Sequence, residues 1–273
     1  MVKLNMLSHS FAHDKGSTAN KPPVNIEWCF NSYDNPISVY IDNDLFKGIQ
    51  DHKNDGGSRK KFLWLLESRQ FDLGASNNVK NNLTKVLETF EQIWTHNDEL
   101  LRLNPKFKWT PSYGSYIKEF GIHPKTKLAS MITSDKKWTG QHKIRYNFAM
   151  SNRDKIDLYG RGINEIPNKE IGLKDYMFSF AVENDTYDTY FTEKILDCFA
   201  TGTIPVYMGT RKIVEYFNSD GILFFDGNFD ISILTPELYY SKMEAIKDNY
   251  NRVQEYSILD DWIYKNHLIN YIQ

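Results

Sequence analysis

The stretch KDYMFSFAVENDTYDTYFTEKILDCFATGTIPVYMGT, residues 174–210, leaves a folding chain few choices. Tyr176 to Val182 is a short, nearly continuous apolar run, which reads as a strand buried on both faces. The strand ends at Glu183-Asn184, and a polar, aromatic loop leads to Thr192, a residue type suited to cap the helix that starts there. Ile195, Leu196, Phe199 and Ala200 share one face of that helix, Gly202 is placed to end it, and Ile204 to Met208 forms a second strand. Strand, helix and strand in this order build a parallel sheet with a helix packed over it.

The same succession recurs along the chain, with no internal repeat and no low-complexity tract. Val2, Leu4 and Met6 alternate, as do Val24, Ile26, Trp28 and Phe30, on either side of a loop rich in Ser, His, Gly and Pro. Further strands are expected at 37–41, 61–67 and 91–96, with helical stretches near 78–90 and 97–103. Past Gly121 and Pro124 the pattern restarts: KLASMIT begins a strand, a helix is expected near 142–153, and strands near 156–160, 176–183, 204–208 and 222–225. From residue 235 onward, Leu238, Met243, Ile246, Ile258, Trp262, Ile263 and Leu268 among charged residues predict two amphipathic terminal helices. A length of 273 residues is about two domains at roughly 150 each. The expectation is one α/β domain over 1–124 and a second over 125–273, with ligands held beyond the strands' carboxyl ends in a cleft between them.

Composition narrows function more than fold. A formal charge of -2 argues against a chain built to hold a nucleic-acid backbone. Cys29 and Cys198 lie far apart without a CxxC spacing, so neither a zinc site nor a disulfide framework is expected, and a reducing compartment is the natural setting. The first residues lack the apolar core of a signal peptide, and no run approaches the roughly 18 apolar residues of a membrane span. A soluble, cytoplasmic protein is therefore expected, and the triplets Asn82-Leu83-Thr84 and Asn184-Asp185-Thr186 carry no glycosylation meaning in that setting. Aromatic residues at 15% suit ligands that stack, such as bases and sugars.

The chemistry concentrates where the Thr192 helix starts. Helix N-termini attract anions, so a Lys in the first turn runs against the dipole unless an anion is bound beside it. Lys194 is suited to neutralise a diphosphate, and the Glu193 carboxylate, an acceptor only, is suited to take two vicinal ribose hydroxyls. Asn184 and Tyr190 can orient a sugar or base. The residues thus describe a sugar-nucleotide site, against the alternative that Glu193 and Lys194 are ordinary solvated first-turn charges.

The run VENDTYDTYFTEKILDCFATGTIPVYMG resembles the signature of glycosyltransferase family 10, the α-1,3/1,4-fucosyltransferases. That resemblance implies a GT-B type α/β fold, two Rossmann-like domains with parallel sheets facing a central cleft, an acceptor domain first and a GDP-fucose domain second. At matching positions Asn184, Tyr190, Glu193 and Lys194 would contact the donor. KLASMITSDKKWTGQHKIRYNF is similar to the family segment whose helix carries the pyrophosphate Arg, here Arg145, with Lys136 and Lys137 as lesser phosphate candidates. Arg145 can also be read as part of a basic solvated face. KKFLWLLESRQF is similar to the strand that ends in the family's general base, which maps that role onto Glu67. Burial at the end of so apolar a strand would raise its carboxyl toward the working pH, whereas a surface pairing with Arg69 would not. His9 and His13 are further candidates for a base or an acceptor contact. Lacking an anchor and extracellular cysteines, the chain resembles the soluble bacterial or viral type.

Three other readings stand beside this one. Asp42-Asn43-Asp44 has the DxD form by which metal-dependent glycosyltransferases hold a cation and a diphosphate. Glu183 and Glu193 could be the carboxylate pair of a glycoside hydrolase. A non-catalytic sugar- or nucleotide-binding protein would need the donor site without a base. The favoured expectation is an inverting transferase that moves L-fucose from GDP-fucose to a hydroxyl of a glycan acceptor, with no metal or other cofactor.

Overall fold

The computed structural model describes residues 1–8, 15–19, 21–68, 73–135 and 140–272. The chain divides into two compact units, Met1–Gly114 with Ile258–Gln273, and Ser115–Ser257. Among the described residues no helix is long and apolar enough to cross a membrane.

In the first unit β1 (Val2–Met6), β2 (Ile26–Phe30), β3 (Ile37–Ile41), β4 (Lys60–Leu65), β5 (Gln92–Thr95) and β6 (Phe107–Trp109) form a parallel sheet in the order β2-β1-β3-β4-β5-β6. Every residue of β3 is buried, as the run ISVYI demands of a central strand. The connecting helices are α1 (Leu45–Asp55), α2 (Leu73–Asn81), α3 (Leu83–Thr89) and α4 (Asp98–Leu101). Tyr40, Leu63, Leu65 and Ile93 of the strands pack with Leu45, Ile49, Val86 and Leu100 of the helices, and with Phe90 just after α3, in one buried cluster. α1 stands where the sequence suggests only an acidic turn, because its buried stripe of Leu45, Gly48 and Ile49 is too narrow to show as a period. The helix expected near 97–103 is the single turn α4, and β6 is a strand that its three residues do not announce.

In the second unit β7 (Lys127–Ile132), β8 (Asp157–Tyr159), β9 (Tyr176–Val182), β10 (Ile204–Met208) and β11 (Leu223–Phe224) form another all-parallel sheet, in the order β11-β10-β9-β7-β8. Its helices are α5 (Gly140–Ser151), α6 (Glu193–Ala200), α7 (Pro236–Ser241) and α8 (Met243–Val253). All seven residues of β9 are buried, and Phe178, Phe180 and Val182 pack with Met131, Phe148, Val206 and Phe225. In each sheet the unit's first strand lies between its second and third. Such a reversal opens a crevice beyond the carboxyl ends of the two strands that flank it, here β7 and β9 in the second unit.

The tail departs from the expected domain plan. The division falls after Gly114 rather than at 124, and the last segment, with α9 (Leu259–Ile263), belongs to the first unit rather than the second. Two acidic residues explain the return. Asp260 is fully buried and accepts from Ser17 N at 2.9 Å, Ser17 Oγ at 2.8 Å and Trp28 Nε1 at 2.7 Å. Asp261 accepts from Val24 N at 3.0 Å and Asn25 N at 2.8 Å. Beyond them His267 stacks on Trp94, and the Tyr271 ring meets Phe62 edge-on at 5.0 Å. Replacing Asp260 with Ala strands three donors, at about 1–3 kcal/mol for each buried one. Asp260→Ala should therefore lower the urea midpoint clearly, while Glu244→Ala, at an exposed ion pair, should leave it nearly unchanged.

Candidate active site

Glu183 follows directly on β9, its N–H bound to Met208 O at 2.9 Å as the β9–β10 ladder ends. Its side chain is fully buried and would be costly without partners. Those partners come from the start of α6 and from β10: Thr192 N at 2.9 Å, Thr192 Oγ1 at 2.7 Å, Lys194 Nζ at 3.3 Å and Tyr207 Oη at 3.4 Å. The carboxylate therefore fixes where α6 begins. Thr192 also caps the helix through Oγ1, which accepts from Lys194 N at 3.4 Å. Gly209 completes the arrangement, since a Cβ there would sit 2.3 Å from Tyr207 Oη.

A cavity of about 230 Å³ opens at this switch point, lined by the ends of β7 and β9, the start of α6, and by Arg145, Arg161 and Lys169. Its volume is below the roughly 300–1,000 Å³ of a site for a drug-sized ligand, so it has room for part of such a ligand rather than the whole. Gly160 forms one wall after β8; with φ of +121° and Thr133 O 1.9 Å from where a Cβ would stand, only glycine fits.

Arg145 projects from α5, is buried, and donates from Nη1 to Asn184 Oδ1 at 3.2 Å and from Nη2 to Ser134 Oγ at 3.4 Å. Its Nε is buried with no hydrogen-bond partner among the described residues. Burial lowers the guanidinium from its usual range, and the carboxylates of Glu183 and Glu193 draw it back. A buried cation bonded only to neutral groups and lining a cavity has capacity for an anion.

Lys169 and Asp197 complete the charge arrangement, and neither is apparent in the strand and helix pattern. Lys169 Nζ lies 3.1 Å from Glu193 Oε1 and 2.9 Å from Asp197 Oδ2. Burial opposes the charge on Glu193, yet Lys169 and Lys194 outweigh it and hold the carboxyl down at about 2. Burial raises the Asp197 carboxyl against the pull of Lys169, so Glu193 is the member of the pair that keeps its charge at low pH. One signal was available in the sequence: Asp197 is a charge set among Ile195, Leu196, Cys198 and Phe199, in a helix that buries all of them.

The structure gathers Arg145, Glu193 and Lys194 around one cavity, with Asn184 bound to Arg145. Tyr190 is fully buried and stacks on Tyr187 at 4.8 Å between ring centres; it is not part of the cavity lining. Glu67, in the first unit, is exposed, and Tyr113 Oη donates to its Oε1 at 3.3 Å. The burial expected at that position is absent because β4 ends at Leu65, two residues before Glu67. Asp42 of the DxD run is buried and accepts from Leu66 N at 2.9 Å, a structural use that ties β4 to the turn before α1. Glu183 is committed to Thr192 and Lys194, which removes it from any carboxylate pair acting on a glycoside. His9, His13, Lys136, Lys137 and Arg69 lie outside the described residues.

Residues 122–226 match the model of the C-terminal part of glycosyltransferase family 10 (fucosyltransferase). The chain is 24% identical over 181 residues to the 4-galactosyl-N-acetylglucosaminide 3-alpha-L-fucosyltransferase 9 of Mus musculus, covering 53% of this chain and 50% of that protein. It is 33% identical over 95 residues to a putative fucosyltransferase-like protein of Arabidopsis thaliana, covering 33% of this chain and 18% of that one. The chain spans about half the length of the first of these relatives, and less of the second. In fold it is similar to the crystal structure of an α,α-trehalose-phosphate synthase (UDP-forming) from Burkholderia xenovorans, with a TM-score of 0.55 at 11% identity over 87% of this chain and 73% of that one. The two parallel sheets with their flanking helices are those of a GT-B type fold built from two Rossmann-like domains.

The Glu193 carboxyl gives a pH-dependent test. Its folded value, about 2 against an ordinary 4.5, is depressed, so its contribution to stability is present above the ordinary carboxylate range and is lost as pH falls toward 2. In thermal melts the advantage of the wild type over Glu193→Gln should be constant near neutrality and shrink between about pH 4.5 and 2. A gap independent of pH across that window would contradict the assignment.

Proposed function

We propose that this chain is an inverting glycosyltransferase that moves L-fucose from GDP-fucose to a hydroxyl of a glycan acceptor. The observation that carries the reading is the buried Arg145, bonded to Ser134 and Asn184 at the switch point and lining the same cavity as Glu193 and Lys194. This arrangement lies inside the segment that matches the family 10 model. Glu193 accepts from the ribose hydroxyls, and Arg145 and Lys194 face the diphosphate. Lys194 Nζ has three N–H donors, two of them directed at Glu183 and Thr192, which leaves one for a phosphate oxygen.

In the reaction the acceptor oxygen forms a bond to the anomeric carbon from the face opposite the diphosphate, the bond from that carbon to the phosphate oxygen breaks, and the acceptor proton passes to a base. Glu67 is proposed as that base on its family resemblance, and the hydrogen bond from Tyr113 orients its carboxylate. Negative charge that develops on the departing diphosphate is met by Arg145 and Lys194, preorganised groups of the kind that contribute most when already in place. Two protein cations can perform the neutralisation that other transferases assign to a metal ion.

Titration calorimetry with GDP, UDP, ADP and their sugar conjugates tests the donor, with GDP and GDP-fucose expected to bind. Binding of UDP-sugars alone would overturn fucose while sparing the fold. Lys194→Ala should weaken donor binding by about 10- to 100-fold, the equivalent of one charge-assisted hydrogen bond. Glu67→Gln should keep donor affinity and lose about 10²–10⁴ in turnover. Wild-type turnover in Glu67→Gln would remove it as the base.

A further inference from the structure

We propose that Lys169 is a positioning residue that fixes Glu193 as the reader of a ribose diol, and so sets the preference of this site for ribonucleotides over nucleotides without those hydroxyls. The inference rests on the reading of Glu193 as a ribose contact and adds what holds it in that role.

The supports of Lys169 are built into the unit. It begins a 3-10 turn, Lys169–Gly172, capped by Asn168, whose side chain accepts from Ile171 N at 3.4 Å. Just beyond the turn, Thr203 Oγ1 donates to Leu173 O at 2.8 Å, and Ser130 Oγ donates to Gly172 O, so the turn is tied to β7 and to the start of β10. The ammonium then spans two carboxylates one helical turn apart on α6, Glu193 and Asp197, and its Nζ lies 4.6 Å from the centre of the Tyr116 ring. Asp197 is held in turn at Oδ1 by Ser115 Oγ at 2.8 Å and Tyr116 N at 2.7 Å. Lys169 engages Oε1 of Glu193, and an ionised carboxylate retains acceptor sites on its other oxygen, where two vicinal hydroxyls can donate.

Removing the cation changes the chemistry of Glu193 as well as its position. The charged groups around it are Lys169 from the turn, Lys194 and Asp197 from α6, Arg145 from α5, and Glu183 at the end of β9. Without Lys169 the carboxylates of Glu193 and Asp197 share a partly buried site with no cation between them, and such pairs retain a proton to higher pH. A protonated Glu193 offers the diol fewer acceptor sites and presents a donor of its own.

The test compares GDP with 2′,3′-dideoxy-GDP by calorimetry between pH 5 and 8. The wild type should bind GDP about 10- to 100-fold more tightly, from hydrogen bonds to a charged acceptor, and keep that ratio flat with pH. In Lys169→Gln the ratio should fall several-fold and become pH-dependent, smallest at pH 5, while Lys169→Arg, which restores a cation, should recover most of it. A merely structural lysine would weaken both nucleotides alike, and an unchanged, pH-independent ratio in Lys169→Gln overturns the proposal. If the wild type itself fails to discriminate, the ribose reading of Glu193 fails first and this inference falls with it. Should the variants not fold, a wild-type ratio that declines from pH 8 to 5 also overturns the proposal, because a Glu193 held by Lys169 does not titrate there.

Discussion

The second unit is organised around a carboxylate with nowhere else to go. Glu183 sits at the end of β9, a strand buried along its whole length, and a charge there is tolerable only with several donors converging on it. Thr192 supplies two of them, Lys194 and Tyr207 the others, and the positions of these groups determine where α6 starts and where its first turn points. Thr192 acts both as donor to Glu183 and as cap of the helix, so the loop between strand and helix is closed by one residue serving two hydrogen-bonding needs. Lys194, which the helix dipole disfavours, is held by the same carboxylate. The oddity that points to an anion in the sequence thus has a local counter-charge as well.

Topology then decides what this anchor serves. With β7 lying between β8 and β9, the connections leave the sheet in opposite directions, and the crevice between β7 and β9 remains open at their carboxyl ends. Ser134 follows the first of these strands and Glu183 the second; Arg145 descends from the helix between β7 and β8 to bridge Ser134 and Asn184. Backbone order delivers these groups to one place, and side-chain packing holds them there.

Much of this was legible in local sequence. The run from Tyr176 to Val182, the cap at Thr192 and the helix to Ala200 depend on neighbours a few residues apart, and the structure has each of them where the pattern puts it. What the pattern leaves out depends on distant pairing. Lys169 finds Asp197 across 28 residues, and Ser17 finds Asp260 across 243, so no window along the chain contains both partners. Asp260 and Asp261 read as the wet face of a terminal helix, and only the donors at Ser17, Trp28, Val24 and Asn25 reveal that this face is buried. Glu67 shows the converse error, because an apolar run says that a strand is buried without saying where along it the burial stops. Aromatic content misleads in a similar way: Trp64, Trp94, Tyr190 and Tyr207 are fully buried, so much of an excess that suits sugar stacking is spent on packing.

Charge balance also distinguishes which cation has capacity for an anion. Around the cavity the less exposed cations Lys169, Lys194 and Arg145 stand against Glu183, Glu193 and Asp197, three of each sign, with the exposed Arg161 as a fourth cation, so most of the charge in the pocket is compensated without a ligand. An anion entering such a site gains little from a cation already held by carboxylates, unless that cation has a donor to spare. Lys169 is bound to two carboxylates and lies over the Tyr116 ring, and Lys194 is shared between Glu183 and Thr192. Arg145 alone of the three has only neutral hydrogen-bond partners, and it keeps a buried N–H unmet among the described residues. The guanidinium is therefore where an anion would recover most of the desolvation already incurred on folding, with Lys194 adding its remaining N–H. This ordering follows from compensation within the pocket and is invisible in a net charge of -2 for the whole chain.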